Sequence, residues 1–235
     1  MNQQLLNDII GWDVETWGKF LSFLEGTGID FRDKSVLEVG AGNGGLSLYF
    51  AKQGAKVVCT DSRWRDGIEE NHRRNGVTDQ IEYRQAGIND LSQYYENTFD
   101  IIVCKAVLGG IGLGGNGNLA EGVHEIYKCL KPGGYFIFCD SMRASYIHAA
   151  ARKRFGSNWH YFTREEIMEL CHEFTLISEQ YYGYLAPFTR ILRDHYRIRN
   201  FFGKVDSVFF EKILPDRKKY MGSFAFRKEI TEPAE

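Results

Sequence analysis

Val36-Leu-Glu-Val-Gly-Ala-Gly-Asn-Gly-Gly45 reads as a buried strand that runs into a glycine-rich turn and then into a helix. Gly40 and Gly42 take backbone angles closed to other residues and carry no side chain, so a ligand can lie against the main chain there. Leu46-Ser-Leu-Tyr-Phe-Ala51 then opens a helix whose unpaired N–H groups point back at the turn. The stretch is built to hold a nucleotide-like cofactor. Its class stays open at this point, because Gly40, Gly42 and Gly45 also satisfy the G-x-G-x-x-G spacing of dinucleotide-binding enzymes.

Two acids bear on the choice. Glu38, two residues before the first glycine, would repel a bound pyrophosphate but accepts hydrogen bonds from an ammonium group, which favours a zwitterionic cofactor tail. Val57-Val-Cys-Thr-Asp61 is a second buried strand ending in an acid, where a carboxylate can hold both hydroxyls of a ribose. With these residues the chain resembles the class I S-adenosylmethionine-dependent methyltransferases, whose E/D-x-G-x-G-x-G turn holds the methionine end of the cofactor. The resemblance implies S-adenosyl-L-methionine as cofactor, bound by Glu38, Gly40, Ala41, Gly42, Gly44, Asp61 and Ser62. It also implies Gly87 and Ile88 at the adenine and Lys105 at the end of the fourth strand.

Outward from that turn, strands are expected at 36–39, 56–60, 81–86 and 99–104, with helices at 46–53 and 66–75 between them. An amphipathic helix over 8–26 precedes them, with Trp12 and Trp17 either packing on the sheet or covering the ligand. The glycine-rich run 105–118 reads as a mobile lid or acceptor loop. A helix at 119–130, Lys131-Pro-Gly-Gly134 and the apolar strand Tyr135-Phe-Ile-Phe-Cys-Asp140 form a second likeness to the same family. Thr163-Arg-Glu-Glu166 is a capping box opening a helix over 167–174. Strand six follows at 175–184, and a last strand at 221–227 is expected to lie antiparallel beside it. The family's acid beside the adenine is missing, since Gly87 stands in its place, and Asn89 or Asp90 is the nearest substitute.

The fold class is therefore α/β, a three-layer Rossmann-like sheet of seven strands, mostly parallel with the last antiparallel, plus a helical insertion before the last strand. Residues 1–33 form an N-terminal helical lead and 34–235 the methyltransferase domain, with a basic helical insertion at about 187–219. That insertion is expected to form two short helices broken at Gly203 and Pro215.

Composition narrows the function classes. The 235 residues suit one large domain, and a net charge of −2 argues against general nucleic-acid binding. Residues 187–228 nonetheless carry 11 basic and 4 acidic side chains. Their face reads as a solvated cap, a pocket for a phosphorylated or nucleotide-linked acceptor, or a surface leaning on anionic lipid. Five cysteines without C-x-x-C spacing read as buried thiols, and no Cys/His spacing implies a metal. No apolar run is long enough to cross a bilayer and no secretory pattern opens the chain, so a cytoplasmic location is expected.

Methyl transfer from a sulfonium is an in-line displacement, so positioning dominates and a base is needed only for a poor nucleophile such as a hydroxyl. His160 and Tyr161 are the catalytic candidates, followed by His148, Lys105 and His195, whereas His124 reads as packed and His72 and His172 as facing water. No carboxylate group follows the fourth strand to chelate magnesium and no N/D-P-P-Y motif for nucleic-acid amines is present, so the acceptor is expected to be a small molecule methylated at oxygen, and the basic insertion points to a sugar-, phosphate- or lipid-linked one. An NAD-dependent oxidoreductase is the alternative, and a non-catalytic or protein- or RNA-directed cofactor module is the third reading.

Overall fold

A computed structural model describes residues 1–11, 14–114, 116–155, 158–185 and 196–230. Trp12, Phe188, Arg190, Ile191, Leu192, Arg193 and His195 lie outside the described residues. Seven strands form one sheet in the order β3-β2-β1-β4-β5-β7-β6. They are β1 (Ser35–Val39), β2 (Lys56–Asp61), β3 (Ile81–Gln85), β4 (Phe99–Lys105), β5 (Leu130–Ser141), β6 (Thr175–Tyr182) and β7 (Met221–Arg227). The first five pair in parallel, and β7 runs antiparallel between β5 and β6.

Helices cover both faces, which is why β1 and β4 read as continuous apolar runs rather than alternating ones. On one face α1 (Gln3–Ile10), α2 (Val14–Gly26) and α3 (Gly45–Lys52) bury Ile9, Phe20, Leu24 and Phe50 against Val36 and Ile101. On the other, α6 (Asn116–Cys129) and α8 (Arg164–Leu170) bury Val123, Ile126 and Ile167 against Leu37, Phe138 and Phe224. At the sheet edge, α4 (Ile68–Arg74) follows β2, a short α5 (Leu108–Ile111) follows β4, and α7 (Tyr146–Phe155) follows β5. Strand order reverses at β1, so a crevice opens outside the C-terminal ends of β1 and β4, above the glycine turn.

Three details differ from the sequence reading. The leading helix is two helices, because Gly11 takes φ +80° and its N–H closes onto Asn7 O, ending α1. Lys131-Pro-Gly-Gly134 is the irregular entry of β5 itself, paired at Leu130 with Phe99 and shifted in register before Ile101. Gly203 does not break the insertion but lies inside α9 (Tyr196–Val205), where a side chain would begin 2.7 Å from Glu15 Cβ. The helical path continues through a π-helical segment, Asp206–Phe210, to Glu211–Ile213.

Candidate active site

The turn between β1 and α3 is packed on three sides and open on one. A Cβ at Gly40 (φ +67°) would lie 2.5 Å from Val107 Cγ2, one at Gly44 2.6 Å from His72 Nε2, and one at Gly45 1.7 Å from the Ile9 carbonyl. At Gly42 (φ +62°) a Cβ would meet nothing within 4 Å. The cradle for a ligand therefore opens at Gly42, while Gly40, Gly44 and Gly45 press against protein. Asp61 borders that opening: its Oδ2 accepts from Gly42 N at 2.9 Å and its Oδ1 from Arg63 N at 2.9 Å. Ala41 N donates to Thr60 O at 2.9 Å, and Ser62 follows on the surface, its carbonyl accepting from Gln85 Nε2.

Beneath the turn, Glu38 is 3 % exposed. Its carboxylate accepts from Leu46 N at 3.2 Å, from Ser47 N at 2.7 Å and from the Ser47 hydroxyl, so it caps the first turn of α3. Burial pushes its pKa up to about 7, while Ser47, Leu46 and the Lys105 ammonium pull the other way. A cationic group arriving at the turn would stabilise its ionised form. His72, read from sequence as solvent-facing, is buried below the same turn, with Nε2 2.8 Å from Gly44 O and Nδ1 3.0 Å from the Tyr83 hydroxyl. Burial lowers its pKa, and the ring braces the loop. The signal missed was Gly44, a left-handed glycine that leaves room for an imidazole.

The N-terminal lead closes one side. Asn43 and Asn71 donate to Asp8 O at 3.2 and 3.1 Å, and Asp8 pairs with Arg74 at 2.7 Å. Lys105, at the end of β4, donates to Ile10 O at 3.0 Å and sits 5.4 Å from the buried Trp17 ring. Burial lowers its pKa and Glu38 raises it. Lys105 thus ties the sheet edge to the end of α1, with Glu38 within electrostatic reach.

The glycine-rich segment after β4 is packed rather than free through Gly112. Asp140, fully buried at the end of β5, accepts from Val107 N and Gly109 N, both at 3.1 Å, and from Trp159 Nε1 at 3.0 Å. Burial raises its pKa, and the N–H donors offset that. Gly109 and Gly110 are small because Trp159 lies on them: a Cβ at Gly109 would begin 2.1 Å from its Nε1.

His160 and Tyr161 diverge. The His160 backbone N–H donates to Gly109 O at 2.8 Å, and its half-buried ring lies 3.6 Å from Glu166. With Leu119, Phe162 and Leu170 it lines a cavity of about 470 Å³ between α6 and α8. Tyr161 instead lies 6.0 Å from the Tyr220 ring and 4.1 Å from the Arg152 guanidinium, beside the crevice edge at β5 and β7. His148 is buried with both ring nitrogens engaged, by Ser145 and by Tyr184 O. His124 is exposed and faces Glu173, contrary to the packed role read for it, and His172 is exposed as expected.

Beyond β3 come Gly87 and the buried Ile88, with Ala86 N donating to Asp61 O at 3.1 Å. Asn89 turns away to Asn118 O on α6, whereas an Asp90 oxygen lies 3.3 Å from where a Gly87 Cβ would be. Of the two, Asp90 is the side chain the backbone brings beside Gly87. The five cysteines are buried free thiols. Among the described residues no set of His, Cys, Asp and Glu is placed to hold a metal, and no helix is long and apolar enough to cross a membrane.

The antiparallel β7 between β5 and β6 decides between the two cofactor classes, because the dinucleotide-binding sheet runs 3-2-1-4-5-6 without it. A family model described as a methyltransferase domain matches residues 12–179. The chain belongs to the S-adenosylmethionine-dependent methyltransferases. The NAD-dependent alternative is thereby corrected.

This methyltransferase is 29 % identical over 119 residues to a ubiquinone biosynthesis O-methyltransferase of Acinetobacter baumannii, covering 49 % of this chain and 48 % of that one. It is 24 % identical over 153 residues to a malonyl-[acyl-carrier protein] O-methyltransferase of Priestia megaterium, covering 60 % and 53 %. The chain thus spans about half the length of the curated relatives it matches. Its fold is shared with the 1,6-didemethyltoxoflavin-N1-methyltransferase of Burkholderia thailandensis, at TM-score 0.59 and 18 % identity over 91 % of this methyltransferase and 80 % of that one.

Proposed function

We propose that this chain transfers a methyl group from S-adenosylmethionine to an oxygen of a small, anionic or lipid-linked acceptor. The observation that carries the reading is the opening of the glycine turn at Gly42, clear of the described residues, flanked by the Asp61 carboxylate and underlain by Glu38. When bound, S-adenosylmethionine supplies an electrophilic methyl on a sulfonium. Glu38 orients the turn and favours the ammonium end, Asp61 receives the ribose hydroxyls, and Gly42 lets the main chain approach. Gly87, Ile88 and Asp90 border the adenine, and Ala41, Gly44, Ser62 and Lys105 shape the site's edges. Residues 1–33 act as a lead closing over the cofactor, residues 34–235 as the catalytic domain, and the basic insertion at about 187–219 as a cap on the acceptor side.

Oxygen as the target is supported by two relatives whose names state O-methyl transfer. The basic insertion and Arg152, whose buried Nη1 has no hydrogen-bond partner among the described residues, support an anionic group on the acceptor. Tyr161 positions that acceptor beside Arg152, and the hydroxyl proton leaves to solvent at the open crevice, while His160, on the α6–α8 side, serves through its backbone N–H on Gly109 O. The test is turnover of labelled S-adenosylmethionine with a phenolic quinone precursor and with a malonyl thioester. Label in an ether or ester, with kcat about tenfold lower in Tyr161→Phe, is expected. Label only on nitrogen, or full activity in that variant, would sink the assignment.

A further inference from the structure

The helical path from Tyr196 to Ile213 has two unlike faces. Inward, Gly203 presses on Glu15, and buried Asp206 accepts from Tyr184 N at 2.6 Å and Leu185 N at 2.8 Å. Glu211 accepts from Gly183 N at 2.9 Å and pairs with Lys19. Outward, Ile198, Phe201, Val208, Phe209 and Ile213 stand exposed along the path, with Phe201 62 % and Phe209 59 % exposed. Apolar side chains this open normally mark a contact surface.

Its surroundings say what kind. Exposed Lys204, Lys212, Arg217 and Lys218 flank these side chains, while the acids of this segment are spent: Asp206 inward, Glu211 on Lys19, and Asp216 on Lys219 at 2.8 Å. A two-fold copy of the chain docked here would set these lysines against themselves, which disfavours a dimer. An anionic bilayer surface takes both parts, aromatic rings into the acyl boundary and ammonium groups among the headgroups. Residues 1–186 carry 18 basic and 24 acidic side chains, so the rest of the molecule would be pushed away from the same surface.

This helical path also stands at the acceptor side of the sheet. β6 ends at Tyr182 and β7 begins at Met221, opposite Ser141 at the end of β5, so the connection that carries the helix rises over the crevice edge. Tyr184, held through its N–H by Asp206, is held through its carbonyl by His148 of α7 at 2.7 Å. At the start of α7, Tyr146 is 95 % and Ile147 57 % exposed. A second apolar projection is thus tied to the same residue.

We propose that the outward face of residues 198–213 lays the protein on anionic membranes, so that a lipid-linked acceptor enters the crevice from the bilayer. The entry of acceptor rests on the methyl-transfer reading above; the docking itself does not. The experiment is co-sedimentation of the full chain with phosphatidylcholine vesicles and with vesicles of phosphatidylcholine and phosphatidylglycerol, each sample also titrated with S-adenosylhomocysteine. Binding to the anionic vesicles is expected, weakened about tenfold or more by Phe201→Asp and by Phe209→Asp, and severalfold by Lys204→Glu, with affinity for the nucleoside unchanged. The lysine change, at a solvent-facing position, keeps the test valid where an aspartate disturbs folding. No preference for anionic vesicles, or undiminished binding in all three variants, would overturn the proposal, as would a dimer in solution that Phe201→Asp dissolves. Vesicle binding by a chain that takes no S-adenosylhomocysteine would support the docking face and sink the methyl-transfer reading.

Discussion

The two ends of the crevice are built on opposite principles. At the glycine turn polar groups are committed within the chain: Glu38 to α3, Asp61 to Gly42 and Arg63, and His72 to Gly44 and Tyr83. At the other end, Phe201 and Lys204 stand open to solvent, and the buried Arg152 Nη1 has no hydrogen-bond partner among the described residues. On the proposed methyl-transfer reading, the difference follows from what each end would bind. A cofactor of constant shape rewards a pre-formed cradle, whereas an acceptor is recognised by loops and insertions laid on the scaffold.

The largest effect expected from this contrast lies where the lead meets the turn. Gly45→Ala puts a Cβ on the Ile9 carbonyl, and we expect a loss of about 3 kcal/mol in urea unfolding, against under about 0.5 kcal/mol for an exposed change such as Lys204→Ala. Equal, small costs for both would break the contrast.

Glu38 sharpens it next. Its folded pKa is raised from 4.5 to about 7, so the folded chain binds the extra proton. Its contribution to stability without ligand is fully present below about pH 4.5 and is lost as pH rises through about 7, on the order of 3 kcal/mol. A ligand ammonium needs the ionised form, so affinity for S-adenosylhomocysteine should climb as pH rises, about tenfold per unit below pH 7, and level off above it. Glu38→Gln should flatten that slope; a slope unchanged in the variant would move the titrating group elsewhere.

The smallest effect concerns the missing acid at Gly87. Asp90→Ala should weaken S-adenosylhomocysteine by about 1 kcal/mol, while Asn89→Ala, whose side chain serves α6, should leave affinity alone. The reverse order in calorimetry would exchange the two.

Much of the cradle is legible in sequence because it is local. Glu38, the glycines and the acid closing β2 lie within 24 consecutive residues, and Lys131-Pro-Gly-Gly134 punctuates the entry of β5. What escaped reading depends on distant partners. His72 looks solvent-facing on a polar helix until Gly44 is placed above it, and Gly203 looks like a helix breaker until Glu15 crosses it. The run after β4 looks mobile by its glycines, yet those glycines make room for Trp159, some 50 residues on, and Asp140 pins their N–H groups. Neighbouring positions 160 and 161 are both candidates in the sequence, but the chain's path sends His160 to the cavity between α6 and α8 and Tyr161 to Arg152 and Tyr220.

The central claim is that the opening at Gly42, between Asp61 and Glu38, is an S-adenosylmethionine site. Calorimetric titration of the full chain with S-adenosylhomocysteine and with NADH, repeated on Asp61→Ala, tests it most directly. The account predicts micromolar binding of S-adenosylhomocysteine alone, weakened roughly a hundredfold in the variant. Binding of NADH in its place, or an Asp61→Ala variant that binds as tightly as the parent, would contradict it.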